Sequence, residues 1–398
     1  MNAIRFRISF LIILFTLCKP LELNNPQEFN SDSYRKIQAI LCFLGQYNVY
    51  CPAPQAPVVQ SISPSDYSTG IIYNAPVTLT FSQAMDASTL TTNTSDGSCN
   101  TSIQISEDDF ITCIPIAAQA VASAGNTIFT FSPKFGYLFH KTQKVRVTNS
   151  AKNSSGVSLA SAYTSGGFTW FSVSGLRFHF LAHTNYLSDN TQITSWTDMS
   201  GNGNSVANSV VSTQPFFLTN QINGFPILRS NSTTTTLRKI GGTTGLGGYT
   251  AGSFFLVIRR NTIAAIASIV QIGTDPGYVN AKQVTFYNTG GFNIRYAQNT
   301  CCALMDGTTV TLSSTSNVLI YSQTSSGSNH SAQINGTSDG SNSFGLSTAG
   351  SDLSLDSSGG DLAELMYFDN QVSNANRDLI TCYLGRKYNV TIGTSCSF

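Results

Sequence analysis

The stretch Gly360–Val390, GDLAELMYFDNQVSNANRDLITCYLGRKYNV, decides how the chain is read. Leu362, Leu365 and Tyr367 trade places with Ala363, Met366 and Phe368. A strand built this way is apolar on both faces, so both faces need cover. Ser373 or Asn374 can cap a following helix, with Leu379, Ile380, Tyr383 and Leu384 as its inner face. Working outward, SFFLVIRR at 253–260 is a nearly continuous apolar run of the same doubly buried kind. SNVLIYSQT and HSAQINGTSDG follow as a hairpin, with Asn335-Gly336 as a type I′ turn signal. Many strands and few helices over residues 176–392 suit one large sandwich.

The same stretch resembles the end of laminin-G-like, concanavalin-A-type jelly-roll domains. There a strand G-x-x-A-E-x-x-x-Y/F precedes L-S-x-x-x-R-x-x-I-x-x-Y-L-x-x-K-Y. The matching residues here are Gly360, Ala363, Glu364, Phe368, Val372, Ser373, Arg377, Ile380, Tyr383, Leu384, Lys387 and Tyr388. Upstream, SWTDMSGNGN and NGFPILRS match early strands of that family. The family continues with Phe-Asp-Gly, whereas this chain has RSNSTTTTLRK, so that edge loop is expected to differ.

Residues 57–172 alternate outward Thr with inward apolar residues in VTLTF (77–81) and TIFTF (127–131), and KVRVTN (144–149) has the same period of two. Such spacing points to a second, smaller sandwich. Ser63-Pro64, Phe81-Ser82, Met85-Asp86, Ser88-Thr89 and the closing Gly156 and Leu159 resemble the bacterial Ig-like domain of surface-layer and adhesin-type proteins. That resemblance implies a spacer that displays other modules and carries no catalytic residues. Asp86 is accordingly expected to cap a turn or helix.

Only 10% of the 398 residues are charged, 41% are hydrophobic, and the net charge is +1. Ser, Thr, Asn and Gly fill the gap and favour strands and tight turns over long helices. No Lys/Arg cluster suggests a nucleic-acid surface. Arg5 and Arg7 precede an apolar run, Ile8–Leu17, too short to span a bilayer but suited to an export signal over residues 1–18. Cys18 falls where a bacterial lipoprotein carries its lipidated cysteine, although Leu17 stands where such proteins have Gly, Ala or Ser. The expectation is a chain at the cell surface or outer membrane, held by an N-terminal lipid on Cys18. Residues 19–56 read as a tether and one short helix, SDSYRKIQAILCFLGQ, with Tyr34, Ile37, Ile40, Leu41 and Leu44 on one face. Such a helix must dock or stay marginal.

The remaining cysteines, Cys42, Cys51, Cys99, Cys113, Cys301, Cys302, Cys382 and Cys396, are even in number, which in an exported chain favours disulfides over metal. The local pairs are Cys42–Cys51 and Cys99–Cys113. Cys301 and Cys302 are expected to reach Cys382 or Cys396, or to join each other.

Four features are weighed for chemistry. In WTDMSGNGN, Asp198, Ser200, Asn202 and Asn204 fall on alternate positions and Gly203 sits at the bend of an EF-hand, but position 12 of such a loop is Ser209 rather than Glu. The loop reads as a turn, with a calcium site on the sandwich rim using Asp198 as the alternative. His179 and His183, four apart, are too distant along a strand for one metal and read as core or surface histidines. Glu364 reads as a packing and hydrogen-bonding residue. No E-x-D-x-x-E or G-x-S-x-G run is present. Trp196 is expected in the core and Trp170 at the domain junction.

The sequence therefore reads as an all-β protein. A short N-terminal helix leads to an Ig-like β-sandwich followed by a concanavalin A-like jelly roll. Its expected role is adhesin-like, non-catalytic recognition of an extracellular glycan or host-matrix protein. A structural envelope protein and a glycan-active hydrolase are the alternatives.

Overall fold

The computed structural model describes residues 31–46, 55–138, 140–184, 186–230, 236–240, 242–243, 245–248, 250–260, 266–273, 282–288, 292–298, 303–306, 317–344, 351–356 and 360–396. Within these residues the chain is all-β, with helices at Asp32–Phe43 and Asn374–Tyr388 and a few short 3-10 turns.

The first sandwich joins a four-stranded sheet to a three-stranded one. The order is Val59–Ser63, Val77–Phe81, Ile128–Phe131, Val121–Ser123 in one, and Ile103–Ser106, Lys144–Val147, Tyr163–Thr164 in the other. Val77, Leu79 and Phe81 are buried while Thr78 and Thr80 between them are not, as the period of two requires. Asp86 Oδ1 accepts from Ser88 N (3.0 Å) and caps the turn Ala87–Thr89.

The second sandwich stacks nine strands on eight. Gly360–Phe368 lies at the centre of the larger sheet, between Gly252–Arg260 and Phe225–Arg229, and Leu176–Leu181 also pairs with it. Phe254, Leu256, Ile258, Leu362, Leu365 and Tyr367 face the smaller sheet. Phe255, Val257, Ala363, Met366 and Phe368 face the other way, under the C-terminal helix. The alternation is broken once. Val257 pairs with Glu364 and Ile258 with Leu362, so Ala363 is the extra residue of a bulge. Glu364 keeps the facing of Met366 and Phe368, toward the helix, and the bulge returns Leu362 to the inter-sheet core.

Ser373 is the helix cap, its Oγ accepting from Asn376 N (3.3 Å), and Asn389 in left-handed conformation (φ 54°) ends it. Ile380, Tyr383 and Leu384 are buried, and Leu379 is half-buried at the edge of that face. Asn335 (φ 51°) and Gly336 (φ 76°) join Asn329–Ile334 to Thr337–Ser343, as a type I′ turn demands.

The two sandwiches share a core. One apolar cluster runs from Leu79 and Phe129 through Tyr137, Phe168 and Trp170 to Tyr383 and Ile227. Tyr73 and Trp170 of the first body both meet the Tyr383 ring, at 5.3 and 4.9 Å between centroids. Trp196 is buried in the second body, its indole N–H donating to Leu181 O (3.0 Å).

Two disulfides are present among the described residues, Cys99–Cys113 and Cys382–Cys396. The second corrects the expectation that Cys301 or Cys302 reaches into this region. After Asn389 the tail folds back along the helix, Gly393 N donating to Asn335 O (2.7 Å), and carries Cys396 to Cys382. Cys42 is also disulfide-bonded. Cys18, Cys51, Cys301 and Cys302 lie outside the described residues, as do the export signal and the edge loop at 231–235. The N-terminal helix is capped by Ser31 Oγ, which accepts from Tyr34 N (3.0 Å), yet it buries none of its residues. Among the described residues no helix is long and apolar enough to cross a membrane.

Candidate functional site

Two sets of ionisable groups meet near the junction, and they behave differently. The first is centred on Glu364. Its Oε1 accepts from His179 Nε2 (2.8 Å) and Tyr383 OH (3.1 Å); its Oε2 accepts from Lys387 Nζ (2.8 Å) and Tyr388 OH (2.9 Å). Every member is buried. Burial pushes the Glu364 carboxyl up, but the Lys387 ammonium and His179 outweigh it, and the group is held well below the usual carboxylate range. The Tyr383 and Tyr388 hydroxyls, raised by burial and by the Glu364 charge, stay protonated as donors. Both Glu364 oxygens are engaged, and the network fixes the helix to the sheet.

The second set lines a cavity of about 420 Å³ between the two bodies. One wall is the segment after Ile103–Ser106. Glu107 Oε1 there accepts from Leu138 N (2.8 Å) and Gln143 Nε2 (3.1 Å), while Oε2 has no hydrogen-bond partner among the described residues. Burial lifts the Glu107 carboxyl to about 7 against those two bonds. Asp108 accepts from Thr112 N (2.9 Å) and Thr112 Oγ1 (2.6 Å), and Cys99–Cys113 clamps the base of the loop. Loss of solvent raises Asp108, but its bonds to Thr112 and Ser106 outweigh this and leave it below its usual value.

The other wall comes from the second body. The strand Leu176–Leu181 ends in the 3-10 turn Ala182–Thr184, which carries His183, followed by Tyr186. His183 is 5% exposed, and Nδ1 is buried without a hydrogen-bond partner. Its ring is held between Phe135 (5.1 Å) and Phe225 (5.7 Å). Burial first, then the Lys387 charge, hold His183 well below the usual histidine range, so it is neutral imidazole. Phe135, Met199, Ile114 and Pro115 supply apolar surface between these polar groups.

The spacing of His179 and His183 is therefore not that of a continuous strand. The turn after Leu181 sends His179 to the Glu364 network and His183 to the cavity. Asp198 is placed elsewhere again. Its Oδ1 accepts from His179 N (3.0 Å) and Ser200 N (2.9 Å), and its Oδ2 from Ser200 Oγ (2.8 Å) and Asn204 N (2.9 Å). These hydrogen bonds engage both carboxylate oxygens and brace the loop as a turn. Among the described residues no group of three or more His, Cys, Asp or Glu could hold a metal ion. Glu107 and Asp108 were not singled out from sequence. The available signal was the acid run Glu107-Asp108-Asp109 directly after a strand and before Cys113.

The fold and site define an all-β protein of two fused sandwiches with a cavity at their junction. Residues 53–173 match the family model of the bacterial Ig-like domain. No curated protein matches the chain. Among solved structures it is similar to domain 4 of AbnA, an extracellular arabinanase from Geobacillus stearothermophilus, in complex with arabinotriose. That likeness has 12% identity and a TM-score of 0.38, over 54% of this chain and 98% of that one. It is also similar to an arabinofuranosidase complexed with arabinofuranosyl-xylobiose, at 14% identity and a TM-score of 0.41, over 57% of this chain and 62% of that one. A third likeness is to botulinum neurotoxin type C, whose cell entry depends on two ganglioside molecules, at 10% identity and a TM-score of 0.37, over 53% of this chain. It spans about half of that neurotoxin chain, 51%.

Proposed function

We propose that the chain is an exported bacterial surface protein that binds a glycan without cleaving it. In this reading the Ig-like body supports a laminin-G-like, concanavalin-A-type jelly roll, and a lipid on Cys18 holds both at the cell surface. The disulfides support an oxidising compartment.

The observation that carries the reading is the junction cavity. It is concave, within the usual volume range of small-ligand sites, about 300–1,000 Å³, and it lies between bodies, where such sites concentrate. His183 Nδ1 is buried without a partner, which is costly unless a ligand or water satisfies it, and Glu107 Oε2, on the half-buried side chain beside it, makes no hydrogen bond among the described residues. The rings of Phe135 and Tyr186 stand beside them. Hydrogen-bonding groups next to aromatic faces suit a saccharide, which offers hydroxyls at its rim and C–H groups on its ring face. A host-matrix protein would need a broad flat surface instead.

The test is a glycan array probed with the purified full chain. Saturable binding to defined glycans is expected, lost in His183→Ala with the circular dichroism spectrum intact. Self-association with no glycan bound would favour the structural-envelope reading. Release of reducing sugar from a bound glycan over time would replace binding by hydrolysis.

A further inference from the structure

The walls of the junction cavity carry an uneven charge. Glu107 and Asp108 face it from the first body, and Glu107 Oε2 is unpartnered among the described residues. Asp96 adds a third acid close enough to act on Tyr186. The described lining holds one cation, Lys141, and no arginine. His183, nine-tenths buried with Nδ1 unpartnered, contributes a polar but uncharged surface. A ligand carrying its own carboxylate would meet two acids of its own sign at close range, the half-buried Glu107 and the exposed Asp108. It would also lack the guanidinium that recognises carboxylates by paired hydrogen bonds. A neutral hydroxyl can instead donate to Glu107 Oε2 or an imidazole nitrogen of His183.

Resting on the reading of this cavity as a saccharide site, we infer that Glu107 and Asp108 are specificity-determining residues that admit neutral saccharide ends and turn away acidic ones.

The groups that face Glu107 set how this selection varies with pH. They are Asp108, Lys141 and Tyr186 around the cavity, and Tyr383 and Lys387 from the C-terminal helix. Burial raises the Glu107 carboxyl to about 7. Above that value Glu107 is ionised and repels a second carboxylate. Below it Glu107 is neutral, and Asp108, held below its usual value, is left to discriminate.

The experiment titrates the full chain calorimetrically with neutral oligosaccharides and with the same oligosaccharides ending in a uronic acid. Both series are run at pH 8 and at pH 5.5. At pH 8 the acidic series should bind at least about tenfold more weakly, the factor expected for one unrelieved like-charge contact. The gap should shrink at pH 5.5, and Glu107→Gln should shrink it at pH 8. His183→Ala should weaken both series. Equal affinities for the two series, or a gap indifferent to both pH and Glu107→Gln, overturn the inference and leave the saccharide reading standing. No binding of either series, or binding that His183→Ala does not touch, overturns both.

Discussion

Replacing Glu364 by Gln keeps the side chain's shape and removes its charge. The Lys387 ammonium, 1% exposed and 2.8 Å from Glu364 Oε2, is then left inside the protein without a counter-ion. Breaking such a buried pair costs about 3–5 kcal/mol. For a body of this size, at about 2–4 °C per kcal/mol, the melting temperature should fall by about 6–20 °C. Lys387→Met should do the same by stranding the carboxylate. The double variant removes both charges and should recover most of the loss, a coupling of at least about 2 kcal/mol. Urea unfolding followed by tryptophan fluorescence is a direct assay, because the Trp170 ring lies 4.9 Å from that of Tyr383, itself bonded to Glu364. The pH dependence has a definite sign. The folded carboxyl is held below its unfolded value, so the stabilisation is complete above about pH 4.3 and is lost as pH falls below it. Single variants that each cost under about 1 kcal/mol, or losses that simply add in the double variant, would refute the account of a paired, desolvated charge.

Asp198→Ala removes the acceptor of four hydrogen bonds, one of them from the His179 backbone. It should cost at least about 2 kcal/mol, while added Ca²⁺ leaves the wild-type melting temperature unmoved in calorimetry. Cys382→Ser opens a bridge spanning 14 residues and should cost about 3 kcal/mol on the chain-entropy model. A non-reducing peptide map of the wild type should contain the Cys382–Cys396 peptide. His183 is buried as neutral imidazole, so stability should decline as pH falls below the ordinary histidine value of about 6.5. His183→Phe should flatten that part of a melting-temperature profile.

Much of the architecture was legible because period-two alternation and doubly apolar runs report burial directly. Val77, Leu79 and Phe81 announced one buried face, and 253–260 with 360–368 announced a central pair covered on both sides. What the alternation could not show was the bulge at Ala363. A single extra residue leaves composition unchanged yet puts Ala363 and Glu364 together on the helix face, with Leu362 and Leu365 both in the inter-sheet core. The Cys382–Cys396 bridge was missed for a related reason. It depends on the tail reversing after Asn389, a left-handed residue whose consequence appears only in three dimensions. The cavity was least legible. Its two walls lie far apart in sequence, and neither Glu107 nor His183 has a motif around it. His183 was in view, but reading its segment as an unbroken strand hid the turn that presents it.

The Ig-like body is not hinged loosely to its neighbour, because Tyr73 and Trp170 are wedged against Tyr383 in one continuous apolar interior. A tug on the N-terminal side enters through Val59–Ser63 and is felt at this wedge before it reaches the larger body. Traction strong enough to prise the halves apart also deforms the recess between them.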